Sequence, residues 1–437
     1  MRLIQALYKM KKGALLLILV ALNMVSLAQE GYKKVDSTTF SHYEAKQWKE
    51  LVSYGKENQL DYYYFNARIG EAYFHLKQYL SAEKYFTKAL VNNETEEIKT
   101  FLFWTYLYMG ERNLAEQTFD ELTAKTQDEI GYTTQALEQF YLEGGIKSPS
   151  EDTIGTMYYG TLFLKHRIGK NIKMGYSITP FTLKSDVFEA TNRQFNILGS
   201  YYLGKKSVIS LGGMFSKMDF TENFTNFDIP TNQPFFIVDE VTKGKRNYST
   251  NSYYINYHYR MNRWKFNVNL NFTNQKVEST EQLTQKRRFR SNDYQLQDLI
   301  KISDSSYTEN VFTPSIGVKY APSILKDRVS FGVVLFGLTS KKEVELVIKP
   351  SISALLTDKI WVEASYFEVS ERLFSDYTTS IFYNTYQPTK RFASTLSFMI
   401  SPKFILKGTY SFEQVENLNY GFNYTLNSAY LGLQINL

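Results

Sequence analysis

Imidazole is the side chain most often recruited for acid–base work and for metals near neutral pH. This sequence of 437 residues holds four, His42, His75, His166 and His258, and they stand singly rather than in ligand-spaced clusters. There is no cysteine, so thiolate nucleophiles, paired-thiol metal sites and disulfides are excluded. No phosphate-cradling glycine loop, no H-E-x-x-H and no G-x-S-x-G is present. Barrel-borne enzymes do exist, but His258 and His166 fall beside short turns, away from the outer rim where an omptin-type site would lie. The expectation is no enzyme, no cofactor and no metal.

The remaining chemistry is charge. Arg260, Lys265, Lys349 and Lys407 share the polar parity of their segments with His258 and Asn256. Lys165, Arg167, Lys173, Lys319 and Lys403 do the same, against the acids Glu345, Glu363 and Glu413. On the inner wall of a barrel such residues would favour anions, or would pair with one another and fill the bore. Arg260, Lys265, Lys349, Lys407, His258 and Asn256 are the lumen-facing candidates. The basic run K-R-R-F-R at 286–290 is short and isolated, and gives no reason to expect nucleic acid as a partner.

Such an inner wall requires strands. In R-W-K-F-N-V-N-L-N-F-T, Trp264, Phe266, Val268, Leu270 and Phe272 take one parity, and Lys265, Asn267, Asn269, Asn271 and Thr273 the other. Period two over this length is a strand with one oily and one polar face. The pattern recurs to the C-terminus, where Leu431, Leu433, Ile435 and Leu437 oppose Gln434 and Asn436. Strands are expected at 137–147, 157–168, 172–183, 193–203, 208–219, 252–259, 264–277, 312–320, 329–338, 344–355, 360–369, 392–400, 404–412 and 429–437. Short connections (169–171, 204–206, 261–263, 357–359, 401–403) alternate with long ones (221–246, 278–310, 370–391), as in an outer-membrane barrel. Pro314 and Pro350 inside strands are expected at bulges. No segment after the N-terminus approaches the ~20 apolar residues of a spanning helix. A soluble sandwich is the competing fold, but its strands would average about five to six residues. Aromatics make up 16% of the chain, with 35 Tyr and 32 Phe, and tyrosine suits a bilayer interface.

Upstream the rhythm changes. Arg2, Lys9, Lys11 and Lys12, the apolar run 13–27 and S-L-A before Gln29 read as a cleaved export signal. Between about 39 and 126, small and apolar residues recur at three and four spacings, with a break at 77–79, so helices are expected. The spacing of Ile69, Gly70, Tyr73, Ala82, Phe86 and Ala89 resembles a tetratricopeptide repeat. Gly70, Ala82 and Ala89 let two helices approach, and Tyr73 and Phe86 fill the groove between them. Tyr106, Ala115, Phe119 and Leu122 echo the unit at an offset of 33 residues, in a degenerate copy with Phe103 in the place of Gly70.

Signal, repeat segment and C-terminal barrel together resemble the YaiO-like outer-membrane proteins, and more distantly the exopolysaccharide secretins. The resemblance rests on that order and on Gly70, Tyr73, Ala82, Phe86 and Ala89. The reading is thus α + β: a signal peptide (1–28), a short periplasmic tetratricopeptide-like helical domain (29–130) and an antiparallel transmembrane β-barrel of about 14 strands (137–437). The resemblance implies an integral protein of the Gram-negative outer membrane, solvated by its lipid. Its repeats are expected to dock a periplasmic or membrane protein partner, as in a subunit of an envelope assembly. The alternative is an outer-membrane channel or exporter for an anionic solute or polysaccharide.

Overall fold

The computed structural model describes residues 31–132, 135–151, 155–185, 187–230, 236–289, 295–325, 328–339, 344–368, 387–401, 403–417 and 422–437. The expected signal at 1–28 lies outside them. The chain divides into two compact units, Met1–Tyr132 and Thr133–Leu437.

The first unit is helical. After a helix over 31–44 (α1) come α2 (Trp48–Glu57), α3 (Tyr63–His75) and α4 (Tyr79–Asn92). Then follow α5 (Glu96–Tyr108), α6 (Arg112–Phe119) and α7 (Ala124–Ile130). The start of α5 is written into its sequence. The Thr95 hydroxyl accepts the Ile98 N–H at 3.4 Å, and Glu96 and Glu97 sit in the positive first turn. Helix α3 packs on α4, and α5 on both α4 and α6. One apolar core runs through them, with Phe65, Ile69, Phe86 and Phe103 no more than 1% exposed. Among the described residues no helix is long and apolar enough to cross a membrane.

The second unit is a closed antiparallel barrel of fourteen strands. Its first four are β1 (Leu137–Pro149), β2 (Met157–Gly169), β3 (Ile172–Lys184) and β4 (Phe188–Tyr202). The longest are β5 (Ser207–Pro230), β6 (Phe236–Met261), β7 (Trp264–Phe289) and β8 (Gln295–Tyr320). The wall continues through β9 (Val329–Thr339), β10 (Val344–Thr357) and β11 (Ile360–Glu368). It ends with β12 (Gln387–Ser401), β13 (Phe404–Asn417) and β14 (Phe422–Asn436). Strand β14 closes on β1, with Ala429 opposite Ile146 and Ile435 opposite Phe140. Short turns gather at one end of the barrel. In the turn after β6, Asn262 takes the left-handed conformation, φ 52°, which its short polar side chain tolerates.

Parity assigns the two faces. Leu162, Leu211, Ile255, Leu270, Ile316 and Leu431 are 36–62% exposed on the outside. Asn269, Asn271, Thr273 and Ser411 are at most 2% exposed on the inside. This inverts the arrangement of a water-soluble domain. A continuous oily exterior around a closed ladder is what hydrocarbon solvates, because closure leaves the sheet without an open edge.

Two expectations are corrected. The segments 221–246 and 278–310, read as long loops, are mostly strand: β5 to β8 stay paired from Thr221↔Lys245 to Glu240↔Gln285 and Thr284↔Ile300. A spanning strand needs about 9–11 residues, so these strands of 24 to 26 residues run well past the hydrocarbon. There both faces meet water, as residues 300–308 do, and the apolar alternation that marks a strand in sequence disappears. Of the basic run, 286–289 belongs to β7, and Arg290 lies outside the described residues. The other correction concerns proline. Leu270↔Pro314 and Val333↔Pro350 sit in unshifted register, so neither bulges its strand; beside Pro314 the β8–β9 ladder skips two rungs instead. Most of the third expected loop, 370–391, lies outside the described residues.

Candidate functional site

The inner wall changes character along the barrel axis. Near the short turns it is charged. A bulge in β1 between Leu137 and Gln139 turns Glu138 inward. There its carboxylate, 4% exposed, meets Lys173 at 2.7 Å and Lys165 at 3.6 Å. Across the bore, Lys319 donates to the Ser353 hydroxyl at 2.7 Å and lies 3.5 Å from Glu363. Glu363 is 55% exposed, so this end is wet.

Midway the wall is neutral on one side and aromatic on the other. Strands β4 to β8 carry amides and hydroxyls bonded across neighbouring strands. Ser216 donates to Asn192 at 2.7 Å, Ser252 to Asn271 at 2.6 Å, and Gln275 to Thr250 at 3.0 Å. On β1 and β2, Glu143 accepts the hydroxyls of Tyr141 and, at 2.9 Å, Tyr159. The Tyr159 ring meets that of Tyr430 edge-on, centroids 5.2 Å apart.

Toward the opposite end the bore turns apolar. Met157, Leu183, Phe188, Met218, Phe220 and Val277 join Val415, Tyr424 and Leu426 in one buried cluster. Phe336, Leu338, Val347 and Phe367 form a second on β9 to β11. A charged group is set into this collar. Glu413, fully buried, lies 3.9 Å from Lys147 and 3.4 Å from Arg391.

The six lumen candidates all take the inward parity. Asn256 is 5% exposed, while His258 and Lys265 near the short turns are exposed. Arg260 is half-buried beside them. Lys349 lies 6.0 Å from the Phe367 ring centroid and Lys407 5.2 Å from that of Tyr141. The structure does not bring the six together; they lie on strands β6, β7, β10 and β13. His166 takes the outward parity, stacked on Tyr176 at 5.4 Å, so the barrel's two histidines face opposite sides of the wall.

Several inner-wall residues escaped the sequence reading. Glu138 stands on the wrong parity until the bulge re-aims it, a device that period-two counting does not register. Glu143 and Lys147 were legible, since Tyr141, Glu143, Gly145 and Lys147 alternate with Leu142, Gly144 and Ile146. The buried pair Glu222–Arg246, at 3.0 Å, was hidden inside a presumed loop.

In the helical unit, Gly70, Tyr73, Ala82, Phe86 and Ala89 all lie in the core. A docking face must therefore use other side chains. One polar cluster borders that core. Asp36 accepts from Tyr62 at 2.5 Å and Arg68 at 2.8 Å. Burial works against its carboxylate, but these two bonds hold its pKa below the ordinary value. Glu71 accepts the Tyr43 hydroxyl at 2.9 Å. Burial raises the Glu71 carboxyl, and burial together with Glu71 pushes Tyr43 up to about 12. Among the described residues no cluster of His, Asp and Glu could hold a metal ion.

No family model and no curated protein sequence matches the chain. Solved structures similar to it are of low sequence identity. The toluene transporter TodX of P. putida is 8% identical with a TM-score of 0.45, covering 70% of this chain and 91% of that one. The CymD monoaromatic hydrocarbon channel is 9% identical with a TM-score of 0.46, covering 74% and 94%. A FadL homologue of Pseudomonas aeruginosa is 9% identical with a TM-score of 0.45, covering 69% and 90%. Likeness at this level lends no ligand and no residue role to this chain.

Proposed function

We propose that this chain is an outer-membrane channel for a polar solute, with an apolar collar toward one end of its bore. The observation that supports it is the inner wall: charged and wet near the short turns, hydroxyl- and amide-lined midway, then apolar at the collar. A barrel serving only as an anchor has no need of a polar bore under a dry collar. The excess of lysine and arginine noted in sequence is partly offset by Glu138, Glu143 and Glu413, so selectivity for anions over cations is expected to be mild. Reconstitution in planar bilayers tests the reading. Discrete conductance steps with a small anion-favouring reversal potential are expected; a barrel that stays silent after the collar is opened by mutation would end it.

A second reading concerns the helical unit. Hairpins α3–α4 and α5–α6 carry the tetratricopeptide-like spacing, and Phe40, Tyr64 and Tyr108 remain 48–62% exposed. Exposed rings of this size on a small helical unit suit a protein partner. Affinity purification of the intact protein in mild detergent should retain a stoichiometric partner, and Tyr64→Ala with Tyr108→Ala should release it. A monomer under all conditions would remove this reading.

A further inference from the structure

We infer that the bore contains a saccharide subsite on the wall formed by β4 to β8, an assignment that rests on the channel reading and names its solute class. One inward residue from each strand lies in a single row. Ser200 pairs with Ser210, Ser210 with Asn256, Asn256 with Asn269, and Asn269 with Ser315. Asn256, Asn269 and Ser315 are 5%, 1% and 5% exposed. Among the described residues, the Asn256 Oδ1, Asn269 Oδ1 and Ser315 Oγ find no hydrogen-bond partner. The rungs nearer the collar behave differently: Ser252 with Asn271, Ser216 with Asn192 and Gln275 with Thr250 satisfy one another.

Buried polar atoms are seldom left unpaired, because each loses its bonds to water without replacement. Three in adjacent register mark a place that a solute's polar groups would complete once the side chains covering these atoms move aside. Asn256, Asn269 and Ser315 offer two amide oxygens, two amide N–H₂ groups and a hydroxyl, with no charge among them, while the hydroxyls of Ser200 and Ser210 bond each other at 2.9 Å. A carboxylate or phosphate would face the amide oxygens with no cation in the row. An aliphatic solute would leave the two amide oxygens and the Ser315 hydroxyl unsatisfied. Vicinal hydroxyls donate to an amide oxygen and accept from an amide nitrogen at once, so a polyol suits the row.

The ring beside it narrows the class. Tyr254 is the next inward residue of β6 and is directly opposite Gly212 of β5. A side chain at 212 would collide with the Tyr254 ring, so the glycine lets the phenol lie against the wall. A half-buried ring next to an amide shelf presents an apolar face and a hydrogen-bonding edge together. A pyranose has the same two features: a C–H face and a hydroxyl rim.

The test uses full-length protein in detergent and saturation-transfer NMR, with maltohexaose and chitohexaose as probes and 1-hexanol and hexanoate as comparisons. At least one hexasaccharide should receive saturation and neither comparison should compete with it. Asn269→Leu, Asn256→Leu and Tyr254→Ala should each weaken binding about tenfold or more, because a site built to bond hydroxyls rejects what leaves its groups unpaired. Tyr254→Phe should bind within about twofold of the parent, since the ring face is kept. Folding of each variant is checked by its heat-modifiable gel mobility, and Gly212→Val, which displaces the ring without touching the amides, stands in for any variant that fails. Absence of saturation transfer from both hexasaccharides, transfer undiminished in Asn269→Leu, or competition by hexanol or hexanoate overturns the assignment. Conductance is read separately. A conducting barrel that binds no saccharide retains the channel and loses the subsite; a silent barrel that binds one does the reverse.

Discussion

Replacing Glu413 by Gln should both loosen the barrel and change what its mouth tolerates. The carboxylate is fully buried, 3.9 Å from the Lys147 ammonium and 3.4 Å from the Arg391 guanidinium. At an effective dielectric of ~20 each contact amounts to about 4–5 kcal/mol of gross attraction. Desolvation of three charges offsets much of this, so the intact cluster adds little net stability. Removing Glu413 is another matter, because it takes away the carboxylate shared by two buried cations, and breaking a buried pair from one side costs about 3–5 kcal/mol. The Gln variant should therefore unfold at clearly lower urea in detergent, by heat-modifiable mobility or tyrosine fluorescence. Adding Arg391→Gln should restore part of the loss, because one cation is withdrawn along with the acid. In bilayers the single variant should shift the reversal potential toward anions and the double variant should shift it back. An unfolding midpoint and reversal potential unchanged by Glu413→Gln would refute the account of the cluster as a dry ion group, and with it the idea that the collar excludes water.

Three further outcomes follow from particular contacts. Phe220→Ala together with Met218→Ala removes two collar side chains, each 3% exposed, and should raise conductance, read as current steps larger and more frequent than the parent's. Gly70→Val would set a branched side chain where even a Cβ stands 2.7 Å from the Phe86 ring; overpacking of about 1–3 kcal/mol should speed amide exchange in α3 and α4 while strand amides stay protected, and Phe86→Leu should relieve part of it. Asp36 carries a pKa lowered from 3.8, so the stability it contributes is complete above that ordinary value and is lost as pH falls through the lower folded value. Proteolysis of the helical unit should rise steeply below pH ~4, and Asp36→Asn should flatten that dependence while weakening the unit at neutral pH.

The barrel was legible where lipid imposes a rule on every second residue. Strands β7 and β14 show it best: Trp264 to Thr273 and Leu431 to Leu437 alternate almost without fault, because one face must dissolve in hydrocarbon and the other must not. The rule lapses beyond the bilayer. In T-E-Q-L-T-Q-K of β7 neither face is obliged to be apolar, so pairing that is decided by the neighbouring strand leaves no local trace. The inner wall was legible only as parity. Which inward residues meet depends on register across strands, and Asn256, Asn269 and Ser315 become one row only when β6, β7 and β8 are aligned. Glu138 shows the opposite failure: one extra residue in β1 reverses its direction.

The position of charge relative to the neutral row bears on how a bore of this kind could work. Lys319 and Glu363, exposed near the short turns, keep water present, while Lys147, Glu413 and Arg391 sit where the collar is driest. Between them, on the β4 to β8 side, lies a stretch with hydrogen-bonding capacity and no charged side chain in the row of Asn256, Asn269 and Ser315, opposite the Glu143 of β1. Strong interaction would trap a solute and none would fail to admit it; amide and hydroxyl groups fall between, since exchanging water for a sugar hydroxyl leaves a net of about 0.5–1.5 kcal/mol per bond. The selective step then belongs to the collar, whose buried side chains must move aside for passage. On this account Asn269→Leu should reduce saccharide binding without altering small-ion conductance in a collar-opened background, whereas Phe220→Ala should do the converse. If Asn269→Leu and Phe220→Ala changed both quantities in parallel, shelf and collar would be one constriction, and the division drawn between them would be wrong.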